Sequence, residues 1–95
     1  MSKQKDSELL YLLANNNSTK GIYFYKGKDI TMNVIIQIRD VIDIIKREEE
    51  ISFIEAVNKF YDSKTYKVLK DTETALWAEP SHYIADRYYE ERKDN

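Results

Sequence analysis

The chain has 95 residues, of which 42% are hydrophobic and 34% charged, with a formal net charge of −2 and no cysteine. That length suits one domain around a single core, and the apolar fraction is too high for a disordered tail. With no cysteine, disulfide scaffolds, thiolate metal sites and thiol nucleophiles are excluded, and a reducing cytoplasm is the expected setting.

Charge is unevenly spread. Residues 1–28 carry five lysines against two acidic side chains, whereas residues 29–95 hold ten basic and fifteen acidic ones. This divides the chain into an N-terminal basic arm, 1–28, and a helical domain, 29–95. An acidic body is a poor fit to a nucleic-acid duplex, because phosphate neutralisation by Lys and Arg supplies most non-specific affinity. Nucleic acid is therefore expected only through the arm. The opening "MSKQKDSELLYLLANNN" has too short an apolar run for a signal-peptide core or a membrane span, so no membrane association is expected.

In chain order, "DSELLYLLA" (6–14) predicts a short helix with Leu9, Leu10, Leu12 and Leu13 as an apolar patch, and "NNNSTKG" breaks it. "IYFY" (22–25) is rich in β-branched and aromatic residues between Gly21 and Gly27. It reads as a short strand or extended arm with no obvious second strand, so another chain is expected to order it. The main helix is expected over 31–47, capped by Asp29 or Thr31. Val34, Ile38, Val41 and Ile45 make its buried stripe, Ile35 and Ile42 widen it, and Gln37 falls with the polar residues. Ser52 and Glu55 form a capping box that starts a helix over 52–62, with Phe53, Ala56, Val57 and Phe60 turned inward. Ser63 caps a third helix over 63–70, with Tyr66 and Leu69 on one face. Residues 71–74 read as a turn, Trp77 as a plug against the helix bearing Ile38, Val41 and Ile45, and Pro80-Ser81 as the start of a last helix over 80–92. The fold class is mainly α, a small helical bundle.

Chemistry-bearing patterns are weak. His82 and Asp86 stand four residues apart on the last helix, but a lone histidine lacks the further ligand or nucleophile such a site requires. Ser63, Lys64 and Thr65 lack the glycines of a phosphate loop, and Asp71, Glu73 and Glu79 do not follow the spacing of a calcium loop. No cofactor, metal site or catalytic residue is expected, so the chain is not read as an enzyme. In "KGIYFYKGK" (20–28) lysines flank three successive aromatics, which suits a single-strand nucleic-acid contact but suits better an edge strand guarded by lysines. Ile22, Tyr23, Phe24 and Tyr25 are thus the candidate partner-binding residues. Tyr23 and Tyr25 are expected on one side and Ile22 and Phe24 on the other. Tyr89, an aromatic beyond the expected stripe of Ile84, Ala85 and Tyr88, is added to them.

The run from 51 to 90 resembles a family of small uncharacterised bacterial proteins from mobile and prophage-type regions, often encoded beside toxin-like genes. The shared pattern is Phe60-Tyr61, Ser63, Thr65-Tyr66, Leu69, Asp71, Thr74, Leu76-Trp77, Ser81 and Tyr83-Ile84 before an acidic tail. It covers just under half of the chain and carries no catalytic residues. The resemblance implies a non-enzymatic, antitoxin-like protein that neutralises a toxin-type enzyme, with a homodimer also open. Two other readings stand beside it: a DNA-binding regulator using a helix-turn-helix near Ser52, and a phage-encoded inhibitor of a host defence protein.

Overall fold

The computed structural model describes residues 21–93; the helix expected over 6–14 lies outside them. A hairpin of β1 (Phe24–Tyr25) and β2 (Lys28–Asp29) leads into α1 (Thr31–Glu49). Then follow α2 (Phe53–Tyr61), α3 (Lys64–Lys70), two 3₁₀ turns (Thr72–Thr74 and Leu76–Ala78) and α4 (Ser81–Lys93). The mainly α class is as expected from the sequence.

The helices begin and end for local reasons. Val34, Ile35, Ile38, Val41, Ile42 and Ile45 are all buried on one face of α1, which packs on α2, α3 and α4. α1 runs two residues beyond the expected end, and Glu50 stops it in the left-handed region at φ 53°. Both halves of the Ser52–Glu55 capping box are present at 3.1 Å, so two backbone amides at the start of α2 are satisfied reciprocally. The Ser63 hydroxyl accepts from the Tyr66 amide at 3.0 Å and donates to the Phe60 carbonyl at 2.6 Å, joining the end of α2 to the start of α3. Phe60 then centres an aromatic core, edge to face with Tyr66 at 5.5 Å and with Tyr88 at 5.9 Å.

Phe53, expected to turn inward at the start of α2, is instead exposed, and two further expectations are corrected. Residues 22–25 do have a second strand: β1 pairs antiparallel with β2, Phe24 opposite Asp29 and Tyr25 opposite Lys28. The cause is the turn. Lys26 and Gly27 both take positive φ, 49° and 81°, the backbone of a two-residue type I′ hairpin whose twist matches the strands it joins. Gly27, which bounds the run 22–25 in the sequence, is the turn itself. The hairpin thus crosses the junction at residue 28 and packs against the body. Trp77 is the second correction. It is only half-buried at the edge of the core, while its neighbour Leu76 is the buried side chain. The indole N–H reaches the Thr72 carbonyl at 2.9 Å, which holds the ring across the 3₁₀ turns instead of deep against α1.

Candidate interaction site at the hairpin edge

The hairpin is seated by the first residues of α1. The Thr31 hydroxyl accepts from the Ile22 and Tyr23 amides, both at 2.9 Å, and is fully buried. Asp29 closes the arrangement, its two carboxylate oxygens accepting from Thr31 N–H at 3.0 Å and Gly21 N–H at 2.9 Å. The N-cap is thus neither expected residue but Ile30, which has no side-chain cap; Asp29 reaches the first helical amide from one residue further back, and Thr31 turns its hydroxyl back to the arm.

Side chains alternate as the strand period requires. Tyr23 and Tyr25 face the core, and Tyr25 meets Trp77. Ile22 and Phe24 face outward, 46% and 49% exposed. The backbone has a corresponding asymmetry. Ile30 N–H donates to the Tyr23 carbonyl at 2.9 Å, and the two-residue turn makes Tyr25 and Lys28 the other bonded pair. Phe24 and Asp29 lie between these pairs, so their amides and carbonyls point away from the ladder. Phe24 thus offers another strand a donor, an acceptor and an exposed ring at one position.

The structure therefore divides the candidate residues. Ile22 and Phe24 form an outward surface, and Tyr23 and Tyr25 are the packing that holds it in place. Tyr89 belongs elsewhere: half-buried on α4, its hydroxyl donates to Glu49 at 2.9 Å. Burial and the adjacent Glu49 carboxylate push the Tyr89 hydroxyl pKa well up. Glu49 also pairs with Lys59 at 2.8 Å, so α1, α2 and α4 share one polar clamp. Burial there disfavours the Glu49 charge, but hydrogen bonds from Lys59 and Tyr89 outweigh it and hold the carboxyl below its ordinary value.

Three features that position the candidate site escape a sequence reading. Lys26-Gly27 is a turn dipeptide whose signal is only the glycine. Thr31 resembles an ordinary helix cap. Gln37, assigned to the polar face, donates to the Trp77 carbonyl at 2.9 Å and to the Glu79 carbonyl, and accepts from the Ser81 hydroxyl at 2.7 Å, fastening the segment that carries Trp77.

His82 and Asp86 line a shallow cleft of about 220 Å³ with Arg47, Glu48 and Tyr89. Among the described residues no group of three or more His, Asp or Glu side chains is placed to share a metal ion. No helix among them is long and apolar enough to cross a membrane. No family model, curated protein or solved structure matches the chain.

Proposed function

We propose that this chain is a non-enzymatic protein-binding module that docks its partner on the outer edge of β1. In keeping with the family resemblance, it acts as the antitoxin-like neutralising partner of a toxin-type enzyme in the cytoplasm. The observation that carries the reading is Phe24: an outward amide and carbonyl beside a half-exposed ring, on a hairpin whose alternate side chains are anchored in the body. Main-chain pairing at a sheet edge gives affinity, and the side chains on either side give specificity. The anchoring matters energetically, because a strand already held in place loses less conformational freedom on binding.

The test is capture and reconstitution. Tagged chain is used to purify interacting proteins from its source cells after nuclease treatment. The captured protein is then identified, purified and recombined with wild-type chain or with Phe24→Pro. Proline removes the outward donor and leaves the ladder bonds of the hairpin intact. Wild-type chain is expected to bind the purified partner and to relieve growth arrest when that partner is expressed; Phe24→Pro is expected to do neither while keeping its helical circular dichroism. Binding by Phe24→Pro as strong as wild type, or capture that succeeds only when the nuclease is omitted, contradicts the proposal.

A further inference from the structure

The end of the hairpin differs in charge from the body behind it. Lys26 sits in the turn with its ammonium 5.4 Å from the centroid of the Tyr25 ring, and Lys28 is exposed opposite Tyr25. Neither pairs with a carboxylate among the described residues. The one acidic side chain in the hairpin, Asp29, is turned to the amides of Gly21 and Thr31. The Thr72–Thr74 turn approaches β1, yet its Glu73 forms no ion pair with either lysine. A strand laid along β1 from Ile22 past Phe24 therefore ends at the Lys26 ammonium in the turn, with Lys28 beside it on β2, and neither has a carboxylate partner among the described residues. A second copy of this chain is a poor occupant, since the edge of its own β1 brings no carboxylate to meet Lys26 or Lys28: the hairpin's acidic residue, Asp29, stands on β2.

From this charge pattern we infer that the segment docking on β1 is acidic: an extended stretch of a partner protein with apolar side chains against Ile22 and Phe24 and carboxylates reaching Lys26 and Lys28. The inference rests on the edge-docking reading above and names the chemistry of the segment that the edge takes. It reverses what net charge alone suggests, because the acidic body by itself points to a basic partner. The lysines also account for selectivity. A cation at an exposed edge discourages indiscriminate pairing and admits a strand that neutralises it.

The experiment uses the ¹⁵N-labelled full chain and follows the Phe24 amide signal. Three strand-forming peptides of alternating valine and threonine are titrated, identical except for two Glu, two Gln or two Lys placed to reach the hairpin tip; a dT oligonucleotide is a fourth ligand. The Glu peptide is expected to shift Phe24 and to bind about three- to tenfold more tightly than the Gln peptide, the increment of two exposed ion pairs. Lys26→Gln with Lys28→Gln is expected to erase that preference while the Phe24 shift persists. If Gln and Lys peptides move Phe24 as readily as the Glu peptide, the acidic-partner inference fails and edge docking stands. If no peptide moves Phe24, or the oligonucleotide alone does, or Phe24 shifts with protein concentration alone, both fail.

Discussion

The indole of Trp77 and the ring of Tyr25 meet edge to face, with centroids 5.5 Å apart and planes inclined at 65°. This contact joins the hairpin to the helical body across more than fifty residues of sequence. Together with the hydrogen bonds to Thr31 and Asp29, it holds Ile22 and Phe24 at a fixed place on the surface.

Trp77→Ala is expected to destabilise by about 2 kcal/mol, less than for a fully buried aromatic, because the ring is only half-buried. In a double-mutant cycle with Tyr25→Ala, measured by denaturant unfolding, the coupling energy should be about 1 kcal/mol. Strictly additive losses would mean that the two rings do not support each other.

Gly27→Ala tests the turn. Nothing lies within 4 Å of the position a Cβ would take, so the penalty is conformational and comes from φ +81°. The expected loss is about 1 kcal/mol, confined to the hairpin. Amide protection at Ile30 should fall while that of buried α1 residues such as Val41 persists; an unchanged Ile30 would contradict the type I′ assignment.

How much of this was legible in the sequence depends on which force sets each element. The α1 stripe and the capping box at Ser52 follow from periodicity and local hydrogen bonding, and the structure keeps both. β2 is only Lys28 and Asp29, residues with little strand preference, and it pairs because the turn at Lys26-Gly27 returns the chain. The roles of Thr31, Gln37 and Trp77 depend on partners 8, 40 and 5 residues away, and their side-chain chemistry fits several local uses equally well. Alternation at the candidate site was readable from the strand period; which face is anchored depended on Trp77, 52 positions beyond Tyr25, which no pattern in the arm reveals.

Ser52→Ala is expected to cost about 1 kcal/mol, the usual worth of a cap. Glu55→Ala should add little in the Ser52→Ala background, since each side chain serves the other's backbone amide. Thermal or denaturant unfolding of the two single variants and the double variant decides this, and full additivity would rule out reciprocal capping.

Acid should loosen the end of α4. Burial disfavours the Glu91 charge, but hydrogen bonds from the Thr65 hydroxyl and the Lys64 and Thr65 amides outweigh it and hold the carboxyl below its ordinary value. The folded chain thus binds this proton more weakly than the unfolded chain. The stabilisation is whole above about pH 5 and is lost as pH falls through the depressed folded value. Stability measured by denaturant unfolding between pH 6 and pH 3, on the order of the carboxylate range, should decline less steeply in Glu91→Gln than in wild type. Parallel declines would show that Glu91 makes no folded-state contribution.

Residue-resolved amide hydrogen exchange, on the chain alone and bound to its captured partner, tests edge docking most directly. In the free chain Ile30, bonded to the Tyr23 carbonyl, should be protected, and Phe24 should exchange nearly as fast as an unstructured amide. In the complex Phe24 should slow by on the order of a hundredfold as its N–H enters a ladder bond with the partner. A Phe24 amide unchanged on binding, with new protection confined to α2 or α4, would place the partner elsewhere and contradict docking on β1.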